Sequence, residues 1–215
     1  MRLLFVADGR SPTARNWIQY WIARGDEVTL ASTFPCDPIP HLATLEVVSA
    51  AFSGRGAGSV STAHLPWRAV PGNCQFAQQR DARLISLRQT IRHWLGPLTL
   101  PRDARRLRDL VERVQPDLVH ALRIPYEGML AANAGLRVPL LVSVWGNDFT
   151  LHAPSTPLMR YHTRLTMRAA NAHHADCERD LRLARQWGLD SSKPTLVTPG
   201  NGGIHTDIFH PPARP

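Results

Sequence analysis

Hydrophobic and polar positions along the chain switch repeatedly between two periods. Residues 3–7 form a short continuous apolar run, the pattern of a strand buried on both faces. Ser11-Pro12 follows as a helix cap with proline at the first helical position. Ala14, Trp17, Ile18, Trp21 and Ile22 then recur at the three/four spacing of an apolar helix stripe, closed by Gly25. Strands are predicted over residues 28–31 and 45–48. Residues 51–75 dissolve into Gly, Ser, Pro and Ala, which reads as a long surface excursion. A basic amphipathic helix follows over residues 83–95, with Leu84, Leu87, Ile91, Trp94 and Leu95 on one side. Another spans residues 103–114, with Leu107, Leu110, Val111 and Val114 inward and Gln115-Pro116 as its stop.

The alternation continues to the end of the chain. Strands are predicted over residues 118–122, 140–145, 172–175 and 196–198, separated by helices over 127–134, 157–170 and 177–187. Strand and helix alternating in this way predict an α/β fold, a doubly wound Rossmann-like parallel sheet covered on both faces. Residues 1–208 read as one such domain and residues 209–215 as a linker.

Composition excludes more than it selects. The 215 residues are 43% hydrophobic and 20% charged, ordinary globular usage, which rules out wholesale disorder. No apolar run approaches the roughly 18 residues of a membrane span, and the opening apolar run is too short for a signal peptide. Three scattered cysteines, Cys36, Cys74 and Cys177, argue against a disulfide framework and for a reducing, cytoplasmic setting. Charge changes the picture. Lys+Arg is 25 against Asp+Glu 17, a net of +8, and Lys193 is the only lysine. Such an excess favours anionic partners; a genome-wide arginine bias explains it equally well. The basic helix over 83–95 has two readings: docking on an anionic membrane through Arg80, Arg83, Arg88, Arg92 and Trp94, or packing on the core with its arginines in water. Nucleic acid is disfavoured, because no recognised motif and no set of interleaved aromatics accompanies the arginines.

In a doubly wound sheet, ligands bind outside the carboxyl ends of the strands. The turns there supply the candidate substrate-binding residues: Gly9, Arg10 and Ser11 after the first strand; His120, Arg123, Tyr126 and Glu127 after the fourth; Gly146 and Asn147 after the fifth; Asn201 and Gly202 after the last. Asp148 is the candidate catalytic carboxylate. Gly9 allows close backbone approach, and Arg10 with the following helix N-terminus makes an anion site; a plain strand-to-helix turn is the alternative. Gly9, Arg10, Tyr126, Asn147 and Asp148 are expected to line one crevice, with Asp148 facing it and Arg10 reaching an anion.

Other motifs fail on context. The glycines of residues 53–58 lack the sixth-position glycine of a dinucleotide fingerprint and do not follow the first strand. His173-His174-Ala175-Asp176-Cys177 holds four metal-ligand types, but neighbours on a strand point to opposite faces, so no metal site is expected. There is no nucleophile elbow and no P-loop.

Several segments in order resemble a known family. Residues 116–121, 139–148 and 172–179, then Pro199-Gly200-Asn201-Gly202-Gly203 and Phe209-His210-Pro211, look like the N-terminal domain of family 4 glycosyltransferases; residues 2–9 and Gly25-Asp26-Glu27-Val28 are similar too. The resemblance covers most of the chain outside residues 51–100. It implies one half of a GT-B architecture, and transfer of a sugar from a nucleotide-sugar donor to an acceptor, with retention and without bound metal or tightly held cofactor. It implies work of the bacterial surface-polysaccharide kind, on the inner face of the membrane and on acceptors that include lipid-linked ones. This half mainly holds the acceptor; the missing C-terminal GT-B domain would bind the donor, so the isolated chain is expected to be inactive. One departure stands out. Trp145 occupies the place where the family often has a histidine before the glycine, so that histidine's role does not carry over, whereas Asp148 matches a frequent acidic residue. The rival reading is a non-catalytic Rossmann-like module for a phosphorylated or nucleotide ligand, or for a partner subunit.

Overall fold

The computed structural model describes residues 1–51 and 90–198. The glycine cluster of residues 53–58, the excursion over 52–75, most of the basic helix, Asn201, Gly202 and the linker over 209–215 lie outside the described residues.

Seven parallel strands form one sheet in the order β3-β2-β1-β4-β5-β6-β7. They are β1 (Arg2–Ala7), β2 (Glu27–Ser32), β3 (Thr44–Val47), β4 (Leu118–Ala121), β5 (Leu140–Val144), β6 (Ala172–Ala175) and β7 (Thr195–Val197). The chain walks outward from β1 to β3, then returns to the other side of β1 to lay down β4. That reversal puts the topological switch point, and hence the natural crevice, beyond the carboxyl ends of β1 and β4.

β1 shows why its sequence is a solid apolar run. Leu4 and Val6 enter one core, while Leu3, Phe5 and Ala7 enter the other, as the two-residue period of a strand requires. The first core is roofed by α2 (Leu100–Val114), α3 (Met129–Ala134), α4 (Pro157–Ala169) and α5 (Glu178–Gln186). The second is roofed by α1 (Pro12–Ala23) through Ala14 and Ile18, with Trp17, Trp21 and Ile22 alongside. Ser11 caps α1, its hydroxyl accepting the Ala14 N–H at 3.4 Å with Pro12 in the first turn.

Two helix starts differ from expectation. α2 begins at Leu100, following a tight turn over Gly96–Thr99, because Pro101 sits in its first turn and Asp103 lies inside the helix. The helix expected from residue 127 begins at Met129. Ile124–Gly128 forms a separate tight turn in which Tyr126 adopts φ +71°.

Candidate functional site

The turn after β1 holds itself together. The Asp8 carboxylate accepts the Arg10 amide at 3.0 Å, its Nε at 3.0 Å and its Nη2 at 2.8 Å. The same guanidinium lies 3.6 Å above the Phe34 ring, from the turn after β2. Gly9 has a steric reason to be glycine. Its N–H donates to Ser32 Oγ at 3.1 Å, and a Cβ would stand 2.4 Å from Cys36 Sγ and 2.9 Å from Ser32 Oγ. The close approach at Gly9 is therefore to its own chain, beneath the crevice.

The turn after β4 is braced from below. Asp148 is fully buried; its Oδ1 accepts Arg123 Nε at 3.1 Å and Nη2 at 2.7 Å, and its Oδ2 accepts the Ile124 amide at 3.1 Å. Burial pushes its carboxyl upward, against the pull of Arg123. Asp148 thus does not face the crevice. It holds Arg123 and the β4 turn, and it touches no open space where a substrate atom fits.

Above this brace a cleft of about 350 Å³ opens at the switch point. Arg10, Ser11, Arg123, Tyr126 and Glu127 meet in it, together with Asp8, Phe34, Arg92, His93, Trp145 and His152; of the five residues expected to share one crevice, Arg10 and Tyr126 line it and Gly9, Asn147 and Asp148 do not. Glu127 is 6% exposed and accepts the Thr33 hydroxyl at 3.0 Å; burial raises its carboxyl to about 7 despite Arg123 and Arg92. Tyr126 donates its hydroxyl to the Arg92 carbonyl at 2.9 Å, and burial raises it to about 12. Its positive φ is a genuine outlier for an aromatic residue, a strain of about 1–3 kcal/mol of the kind that gathers at ligand sites. His93 and His152 pair at 3.4 Å, and burial keeps both below the ordinary histidine range, His152 at about 4.

Other expectations are corrected. His120 is a core residue. It is 3% exposed, bonded to Ser143 Oγ at 2.7 Å and packed on Phe5 and Trp17, and burial lowers it to about 3. Gly146 and Asn147 are exposed at the end of β5, outside the cleft lining. His173 and His174 do point apart: His174 bonds Ser143 Oγ at 3.0 Å, while His173 packs near Phe149. Neither reading of the basic helix, lipid-facing arginines or arginines in water, describes Arg92: its guanidinium turns inward, 4.3 Å from the Tyr126 ring centre and 4.9 Å from that of Phe34. Phe34 is a further lining residue not named from the sequence, although its place just after β2 (Glu27–Ser32) is the signal that points to it. Arg92, His93 and His152 carry no such signal, because only folding brings residues 92–93 over the β4 and β5 turns.

The family model for the glycosyl transferase 4-like domain matches residues 8–200. The chain belongs to that family. A search among curated proteins finds no relative of significant similarity. Among solved structures, the glycosyl transferase 4-like domain is similar to a sucrose-phosphate synthase from Thermosynechococcus elongatus, at 14% identity and a TM-score of 0.51, over 93% of this chain and 88% of that one. It is also similar to a UDP-GlcNAc 2-epimerase from Neisseria meningitidis, bound to UDP-GlcNAc, at 14% identity and a TM-score of 0.51, over 94% of this chain. It spans 47% of the length of that epimerase. At such identities the likeness is one of fold: a Rossmann-like sheet matching one half of a GT-B architecture. Among the described residues, no helix is long and apolar enough to cross a membrane.

Proposed function

We propose that this glycosyl transferase 4-like domain is the acceptor-side half of a retaining, metal-independent glycosyltransferase, and that its cleft at the β1/β4 switch point receives the acceptor. The observation that carries the reading is the cleft itself: a carboxylate not held in an ion pair among the described residues, Glu127, a braced arginine, Arg123, beside it, the Asp8–Arg10 pair at its edge, and aromatic walls from Phe34, Tyr126 and Trp145. Sugar hydroxyls are matched by such a mixture of planar apolar walls and a few fixed polar groups. Glu127 accepts a hydrogen bond from the acceptor hydroxyl and orients it toward the donor. In the transfer, that oxygen bonds to the sugar's anomeric carbon, the bond from that carbon to the donor's diphosphate breaks, and the hydroxyl proton leaves with the diphosphate. The donor, a nucleotide sugar, is held mainly by a second Rossmann-like domain across the cleft, so this half alone does not turn over. Asp148 acts through Arg123, as a positioning residue.

Residues beside the cleft also favour a lipid-linked acceptor at a cytoplasmic membrane face. Trp94, Leu95 and Leu98 expose 53%, 47% and 62% of their surface next to Arg92 and His93 of the cleft wall. A non-catalytic binding module is the rival. Calorimetry of the chain against panels of nucleotide sugars and of sugar acceptors separates the readings. Acceptor binding without low-micromolar donor binding is expected; a low-micromolar dissociation constant for a nucleotide sugar would defeat the acceptor-side assignment.

A further inference from the structure

Three guanidiniums reach the cleft, and they are not equivalent. Arg10 is neutralised by Asp8 and Arg123 by Asp148, each in an ion pair of 2.7–2.8 Å. Arg92 has no ion pair among the described residues, and its Nε–H is buried without a hydrogen-bond partner. Its Cζ lies over the Tyr126 ring, 4.3 Å from the ring centre, and over the Phe34 ring at 4.9 Å. The two rings hold the guanidinium at the cleft wall with its charge unpaired among the described residues, and a guanidinium grips phosphate through paired donors.

Two further observations point to an anion beside Arg92. Arg10 and Arg92 approach the same Phe34 ring, so an anion seated at Arg92 has a second guanidinium close by, although that one is paired with Asp8. Ser11, at the N-terminus of the twelve-residue helix α1, lines the same cleft, and the positive end of that helix favours negative charge there, although the Ser11 and Ala14 amides are already bonded within the turn. Two carboxylates oppose an anion there: Glu127, bonded to Thr33, and Asp8, paired with Arg10; both line the cleft.

We propose that Arg92 anchors a phosphoryl-binding subsite, closed by the Phe34 and Tyr126 rings, and that one substrate of the enzyme presents a phosphate there. The subsite rests on the sugar-transfer reading only for which substrate that is: an acceptor carrying a phosphate monoester, or the donor's diphosphate.

The test is calorimetry of the full chain with glycerol 3-phosphate and with UDP, in wild type, Arg92→Gln, Arg92→Lys and Arg160→Gln. Arg160 lies exposed on α4, outside this cleft, and its substitution removes the same charge. At least one probe is expected to bind wild type. Arg92→Gln should weaken that binding at least tenfold, Arg92→Lys by less, and Arg160→Gln not measurably. Glycerol 3-phosphate responding to Arg92 assigns the phosphate to the acceptor; UDP alone responding assigns it to the donor. Thermal melting checks that the variants fold, and Arg92→Lys, which keeps charge and stem, decides the matter if Arg92→Gln does not fold. Failure of both probes to bind at millimolar concentration, or equal weakening by Arg160→Gln, overturns the subsite. Arg92-dependent phosphate binding in a protein that transfers no sugar would leave the subsite standing and remove the transferase reading. Sugar acceptors binding while both phosphates fail would do the reverse.

Discussion

Replacing Glu127 by glutamine should alter the pH dependence of stability in a specific way. The carboxyl is 6% exposed, and burial raises it from 4.5 to about 7 in the fold, although Arg123, Arg92 and the Thr33 hydroxyl all favour its charged form. Burial outweighs those partners because Arg123 is already committed to Asp148 and Arg92 stacks on rings without pairing with Glu127. A group whose folded value lies above its unfolded one stabilises the fold fully below the unfolded value, and that contribution is lost as pH rises through the folded value. For Glu127 the window is roughly pH 4.5 to 7, and a gap of about 2.5 units corresponds to about 3 kcal/mol. Glutamine keeps the shape and can still accept the Thr33 hydrogen bond, but it never ionises. Urea denaturation of both proteins from pH 4.5 to 8.5 should therefore show near-equal stability at the acid end. Glu127→Gln should then gain progressively, reaching about 3 kcal/mol above pH 8. Other carboxylates titrate alike in both proteins and cancel in the difference. A difference that stays constant across this range would refute the reasoning, and with it the claim that Glu127 is held neutral by burial.

Three more outcomes follow from single contacts. Asp148→Ala strands the Ile124 amide and unpairs Arg123, whose side chain is 41% exposed and can turn to water; the expected loss of about 2–3 kcal/mol lowers the melting temperature by roughly 5–10 °C, and an unchanged melting curve would return Asp148 to the ligand. Gly9→Ala drives a Cβ into Cys36 Sγ and should cost about 1–3 kcal/mol, partly restored in Gly9→Ala/Cys36→Ala; lack of rescue would show that the clash lies elsewhere. Sedimentation with acidic vesicles should recover the chain in a salt-sensitive manner and less well for Trp94→Ala, whereas equal recovery with neutral vesicles would count against a membrane-facing edge.

Local chemistry determined the fold. The two-sided apolar run at β1, the Ser11-Pro12 cap and the repeated switch between strand and helix periods depend on residues a few positions apart, so the chain alone specifies a doubly wound sheet and its carboxyl-end turns. Within those turns, Arg10, Ser11, Arg123, Tyr126 and Glu127 were legible as residues that share an edge. Which of them open to the cleft was not, because that depends on partners far along the chain. Asp148 looked like a free carboxylate until folding set Arg123 against it from 25 residues away. His120 sits at a strand end, yet the strand's period turns it to the opposite face, onto Ser143 and Trp17. Arg92 belonged to a helix stripe that read equally well as lipid-facing, and only tertiary packing laid its guanidinium over Tyr126 and Phe34. Periodicity is a property of neighbours, whereas burial, pairing and the direction of a charge belong to the sum of all contacts around it.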